Sequence, residues 1–313
     1  MNFASVEKIA AAVLYEGYIL YPYRPTAIKN RQRWNFGTLY PRIYAEAQHP
    51  EEPFRLVSEC LLVPGHNASI DIKVSFLQLL PQPRITSDDL KTLADPSLDW
   101  DEAIERTSDH CGLSLGDILD APLNLHITPT SDLAASLTIS AQSMPGGICK
   151  LHLELENASP LSSGTDAHRD EALSQSLVSA HLLIGLTDGE FISLLEPPDL
   201  YSADAKACTN IGVFPVLAGE EPDRSILLLS PIIMYDYPKT SPDSAGDFFD
   251  GTEMDEMLTL RVLTLTDAEK EEVRNGDPRA RRILERTEAL TGEEMLKTHG
   301  IIRPMREVRG GTS

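Results

Sequence analysis

Apolar and polar residues alternate with a period of two along several short stretches of this chain, the pattern of half-buried strands. In Ile70-Asp-Ile-Lys-Val-Ser-Phe76 it places Ile70, Ile72, Val74 and Phe76 on one face. Arg55 to Val63 carries a similar pattern, and the intervening Pro64-Gly-His-Asn67 reads as a turn, so the two predict an antiparallel pair. The alternation returns at 123–127, 135–141 and 149–156, the last two separated by Met144-Pro-Gly-Gly147. Further strands are predicted at 177–186, 191–195, 226–235 and 258–265, with a polar loop rich in Ser, Asp and His over 158–175. Strands with one solvated face point to antiparallel rather than parallel sheets.

Helical signals lie elsewhere. Residues 5–15 fit either a helix capped by Ser5 or a short strand. Acidic first turns at Ser87-Asp-Asp and Asp99-Trp-Asp-Glu predict a helical insertion near 86–120. The capping boxes Thr266-Asp-Ala-Glu269 and Thr291-Gly-Glu-Glu294, with Asp277-Pro278 between them, predict three short charged helices. The expected fold is mainly β (α+β), with antiparallel, β-sandwich-like sheets, the helical insertion, and short C-terminal helices. We divide it into an aromatic and basic segment over 1–50 packing on the body, a β body over 51–265, and a charged helical region over 266–313.

Charge sharpens this division. The formal net charge is −21, yet residues 1–44 hold six basic side chains against two acidic ones, which leaves −25 for the rest. So acidic a body disfavours nucleic acid as a general partner. Four scattered cysteines without a Cys-x-x-Cys pair, and apolar runs well short of the ~20 residues of a membrane-spanning helix, give the expectation of a cytoplasmic chain with reduced thiols and no transmembrane segment.

The segment from 15 to 44 is the most unusual. It holds six of the nine tyrosines, and Tyr15, Tyr18, Tyr21 and Tyr23 precede Arg24, Arg31, Arg33, Trp34 and Phe36. Tyr, Trp and Arg dominate interface hot spots because they join a large contact area to a polar handle. These nine residues are candidate interface positions, and packing against the chain's own acidic body is the competing explanation. The run from Asp243 to Glu256 offers six carboxylates around two glycines, among them Asp250, Glu253 and Asp255, as a surface for a basic partner. Its spacing is not that of an EF-hand.

Catalytic chemistry has weaker signals. On a strand Cys149 and His152 face opposite ways, whereas His152, Glu154 and Glu156 share one face that solvent exposure explains more simply than metal. His110-Cys111, read as adjacent in a turn before Gly112, could form a thiol dyad, but a structural pair is the simpler explanation. Walker A, Gly-x-Gly-x-x-Gly, Gly-x-Ser-x-Gly and His-Glu-x-x-His are all absent. No cofactor or resident metal is expected. A non-catalytic binding protein is the leading expectation, and a metal-dependent or thiol enzyme using Cys111 or Cys149 is the alternative.

Several segments carry a resemblance: Leu14 to Arg24, Lys29 to Gly37, Phe191-Ile-Ser-Leu-Leu-Glu-Pro-Pro198, Ser230-Pro-Ile-Ile-Met-Tyr-Asp-Tyr-Pro238, Asp250 to Arg261, Asp277-Pro-Arg-Ala280 and His299-Gly300. Together they resemble an accessory-protein family encoded with the high-affinity, actinobacterial-type nickel-iron hydrogenases. The resemblance implies a hydrogenase subunit or an assembly factor as partner, with a second copy of this chain as the other candidate. It brings no activity and no catalytic residue.

Overall fold

In the computed structural model, which describes residues 3–4, 6–15, 36–80, 102–161, 163–239, 259, 261–275 and 278–290, the two stretches on either side of Pro64-Gly-His-Asn67 form one strand. The elements run α1 (Glu7–Tyr15), α2 (Arg42–Ala45), β1 (Arg55–Leu80), β2 (Glu102–Ser114), α3 (Leu115–Asp120), β3 (Leu123–Ile127), β4 (Ala135–Met144) and β5 (Ile148–Asn157). They continue with α4 (Arg169–Ser174), β6 (Val178–Ile192), α5 (Ser202–Lys206), β7 (Asn210–Ile211), β8 (Phe214–Leu217), β9 (Ile226–Ser230), α6 (Asp267–Asn275) and α7 (Pro278–Glu288). All nine strands join one antiparallel sheet in the order β3-β4-β5-β1-β6-β9-β8, with β2 and β7 also paired to β1.

The sheet has two wings because β1 changes partners along its length. Its first half pairs with β5 over Arg55–Leu62, its second half pairs with β2 from Ser69 onward, and β6 pairs with it on both sides of the junction, from Leu61 to Pro64 and again from Ser69. At the junction Pro64 faces Gly189 and Ser69 faces Thr187, so β1 inserts three extra residues against β6. The bulge is braced rather than turned: Asp188, at φ +57°, accepts the Asn67 N–H at 2.7 Å, and its carboxylate fills the space where a Cβ on residue 65 would sit. This is why the expected antiparallel pair over 55–76 does not form. The same bulge joins the expected strands at 177–186 and 191–195 into β6.

One core serves both wings. Leu151, Leu153 and Leu155 of β5, Leu137 and Ile139 of β4, Ile70 to Phe76 on the inner face of β1, and Leu182, Ile184 and Leu186 of β6 belong to a single apolar cluster. The two wings differ on their outer faces. On the β3-β4-β5 wing the outer positions are polar and partly exposed, giving β5 its regular alternation. On the other wing α1 covers Leu183 and Leu228, while Val262, Val273, Ala280, Ile283 and Leu284 cover Leu77 and Leu79. The second half of β1 is therefore buried on both faces.

Three expectations change. Residues 102–114 of the expected helical insertion are a strand, and only Leu115–Asp120 is helical among the described residues of that range. Ala103 to Thr107 meet a partner in register along β1, and that pairing outweighs the acidic signal at Asp99. Thr259 and residues 261–263 are helical instead of extended, since a short apolar run is ambiguous until its packing partners are known. The polar loop over 158–175 contains a 3-10 turn at Gly164–Asp166 as well as α4. The Thr266 and Glu269 capping box forms reciprocally, with the Glu269 carboxylate accepting the Thr266 N–H at 2.8 Å. The second box, at 291–294, lies outside the described residues.

Candidate functional site

Tyr18, Tyr21, Tyr23, Arg24, Arg31, Arg33 and Trp34 lie outside the described residues, as do Asp250, Glu253, Asp255 and the whole run 243–256. The described members of the aromatic segment divide in two. Tyr15 is 3% exposed, packs with Leu77, Leu79 and Val178, and donates its hydroxyl to Glu105 of β2. It is internal packing, not contact surface, because α1 turns that face onto the sheet. Tyr40 and Tyr44 are also buried, their rings 5.4 Å apart, and burial pushes the Tyr40 phenol up to about 12. Phe36 is 41% exposed, while its carbonyl accepts the Ser179 N–H at 3.1 Å.

The outward face of β5 holds His152, Glu154 and Glu156 as the alternation requires, but ion pairs occupy it. Arg55 reaches Glu154 at 2.7 Å, Arg42 reaches Glu156 at 3.4 Å, and His152 lies 3.6 Å from Glu59. Burial works against the charge of Glu59, yet the Thr209 N–H at 2.8 Å and Lys150 at 3.2 Å outweigh it and hold its carboxyl below the ordinary range. Among the described residues no group of three His, Cys, Asp or Glu side chains is arranged to hold a metal. Cys149 points into the core on the opposite face, where burial raises its thiol pKa.

His110 and Cys111 lie within strand β2, not in a turn. They sit at a bulge, where Cys111 and Gly112 together stand opposite Asp71. His110 Nε2 instead lies 3.0 Å from Ser108 Oγ, two positions back on its own face.

A further surface stands out at the other end of the sheet. After β9 the chain breaks at Pro231 and runs alongside β8 with its side chains alternating. Ile232 and Met234 pack inward against the cluster containing Val216 and Leu228, which leaves Ile233 75% and Tyr235 88% exposed. Asp236 fixes this strap: one carboxylate oxygen accepts the Ser193 hydroxyl at 2.5 Å and the other accepts the Leu217 N–H at 2.8 Å. The Tyr237 N–H adds a bond to the Leu217 carbonyl at 2.7 Å. Ser193 Oγ in turn accepts the N–H groups of Leu195 and Glu196 at 3.1 and 2.9 Å, locking a turn in which Leu195 is 51% exposed. Leu195, Ile233 and Tyr235 are thus exposed on two segments tied by one hydrogen bond, called the ledge below.

Sequence reasoning missed this ledge because it continued the strand of β9 through Tyr235. The pairing ends at Ser230, whose hydroxyl accepts the Ile232 N–H at 3.0 Å. Pro231 after Ser230 was the available signal, since proline favours strand ends and edges.

Two further clefts lie among the described residues. One, of about 390 Å³, lies between the β1 bulge and the start of α3, lined by Gly65, His66, Asn67, Gly112 and Gly116. The other, of about 430 Å³, is framed by Arg42, Glu46 and Glu156, where Arg42 pairs with both carboxylates. No protein-family model matches the chain, and no curated protein matches it in sequence.

Proposed function

We propose that this chain is a non-catalytic, protein-binding accessory factor that supports the assembly or function of a nickel-iron hydrogenase. The observation that carries the binding part is the exposure of Ile233 and Tyr235 on a strap whose backbone is pinned at Asp236 and Tyr237. Large apolar side chains held rigidly outward lose little conformational freedom on docking, which favours a binding surface over a disordered loop. The hydrogenase part rests on the resemblance of the segments quoted above.

The chemistry of the described polar groups supports the same choice. Glu59, Glu154, Glu156, Asp188 and Asp236 are each engaged in a bond that shapes the fold. Burial raises the Cys60 thiol far above its ordinary value and the Cys208 thiol to about 11, which makes both poor nucleophiles at neutral pH.

The aromatic and basic segment is proposed as a second contact region through Arg31 and Arg33. Reversing both charges, in an Arg31→Glu and Arg33→Glu double variant, should weaken partner capture while leaving the melting temperature nearly unchanged. A variant that is markedly destabilised, or that keeps its full partner set, would remove that region from the interface.

A further inference from the structure

The two ends of the sheet differ in how their edges are closed. At one end the strap lies alongside β8, where the Tyr237 N–H reaches the Leu217 carbonyl. At the other end β3 pairs only with β4 among the described residues. The Ala158 N–H donates to the Ala134 carbonyl at 2.9 Å, which fixes the phase of the ladder: even-numbered residues of β4 bond to β5 and odd-numbered ones to β3. Leu123, Leu125 and Ile127, opposite Ile139, Leu137 and Ala135, therefore spend their backbone groups on β4. The N–H and C=O of Asn124 and His126 point away from the sheet, and both side chains are exposed. Leu123 and Leu125 pack on the core but stay partly exposed where the layer ends.

We propose that β3 is a self-association edge, to which a second copy of this chain adds its own β3 antiparallel, with the two-fold axis between the two Leu125 residues. The proposal goes beyond the accessory-factor reading and does not depend on it. Hydrogen-bonding groups select the register. With the axis at Leu125, Asn124 of each copy faces His126 of the other, and four bonds satisfy every outward N–H and C=O of both strands. An axis at Asn124 sets His126 against Pro122, which has no N–H, and an axis at His126 sets that ring against its own copy. The side chains select the same register and a second copy as the occupant. Leu125 meets Leu125 and Leu123 meets Ile127, which continues the apolar layer across the axis. On the exposed face the Asn124 Oδ1 already accepts the Thr138 hydroxyl at 2.8 Å, so the Asn124 amide is left to donate to the neutral imidazole opposite. Strand β2, also paired on one side only among the described residues, lacks this complementarity. A two-fold axis at Thr107 opposes Glu105 to Asp109, one at Arg106 or Asp109 opposes that charge to itself, and one at Ser108 opposes Arg106 to His110. Strand β3 holds no Asp, Glu, Lys or Arg, the charges that keep an edge from pairing.

The test measures the molecular mass of the full chain by sedimentation velocity over about a hundred-fold range of concentration. The expected result is a rise with concentration from 34.5 kDa toward twice that mass. His126→Pro removes an N–H that makes no bond among the described residues of one chain, and with it two of the four bonds of the pair. It should weaken association about ten-fold while the melting temperature stays constant. Register is read in a Cys111→Ser background, which removes the exposed native thiol, by adding one cysteine to β3 and oxidised glutathione to the solution. Leu125→Cys sets two thiols opposite each other across the axis at a Cα separation of ~4.5 Å, within disulfide range, and should give a covalent dimer. Asn124→Cys, one position away and faced by His126, should give about ten-fold less. A chain that stays at 34.5 kDa at every concentration, a dimer indifferent to His126→Pro, or equal cross-linking at the two positions would overturn the proposal. If His126→Pro lowers the melting temperature, the contrast between the two cysteine variants decides.

Discussion

Ser193 and Asp236, 43 positions apart, are joined by a 2.5 Å hydrogen bond, and each also holds backbone N–H groups of its surroundings. Removing the carboxylate leaves the Leu217 N–H and the Ser193 hydroxyl without this acceptor. Asp236→Ala should cost about 1–3 kcal/mol in urea unfolding, the usual range for a lost charge-assisted hydrogen bond in a partly buried place. Partner capture should fall as well, because the strap loses its pin. A variant with wild-type stability would show that the strap is held by its apolar contacts alone.

The bulge in β1 gives a steric prediction. A Cβ at residue 65 would lie 2.1 Å from Asp188 Oδ1 and 2.6 Å from the Asp188 carbonyl oxygen, closer than atoms approach. The carboxylate could swing aside, but the carbonyl belongs to the β6 backbone. Gly65→Ala should therefore destabilise by about 2 kcal/mol and speed hydrogen exchange at the Asn67 amide. Unchanged protection at Asn67 would show that the bulge adapts.

His181 gives a pH dependence. It is buried against Ser75 and Lys73 of β1, its Nδ1 lies 2.8 Å from the Ser179 carbonyl, and Lys73 pairs with Glu7 of α1 at 3.2 Å. Burial lowers its pKa to about 4 from an ordinary 6.5, so the folded protein keeps the ring neutral while the unfolded chain takes up a proton below 6.5. The associated stability is fully present above pH 6.5 and is lost as pH falls toward 4, by about 3 kcal/mol in all. Urea midpoints at pH 7.5, 6 and 5 should fall less for His181→Asn than for the wild type. Parallel declines would place the acid sensitivity in other groups.

Tyr15 separates internal packing from contact surface. Tyr15→Phe removes the bond to Glu105 and should cost about 1 kcal/mol, whereas Tyr15→Ala also empties a core position and should cost about 3–5 kcal/mol. Loss of partner binding by Tyr15→Phe without loss of stability would return Tyr15 to the interface.

How much was legible in the sequence follows from which faces are solvated. The β3-β4-β5 wing reads directly from the alternation because its outer face stays polar, as in Lys150, His152, Glu154 and Glu156. On the other wing the alternation of Ile70 to Phe76 still marks β1, but beyond it helices cover the outer face at Leu77 and Leu79, so apolar residues stand on both faces there and the period of two fades. Gly65 and Asp188 meet at the bulge, and they lie more than a hundred positions apart. The ledge was illegible for a similar reason. Nothing local distinguishes outward Tyr235 from inward Met234 until β8 lies alongside and Asp236 finds Ser193. The capping signals of α6 and α7 were readable because a helix start is built from residues within one turn.

The central claim, that this chain works by binding a hydrogenase subunit or its assembly factor, is tested most directly by affinity purification of the full-length protein from its own cells with quantitative identification of what accompanies it. The account predicts hydrogenase subunits or an assembly factor in near-stoichiometric amount, lost when Ile233 and Tyr235 are both changed to Ser with the melting temperature unchanged. A chain that purifies alone, or with partners indifferent to those two side chains, would contradict it.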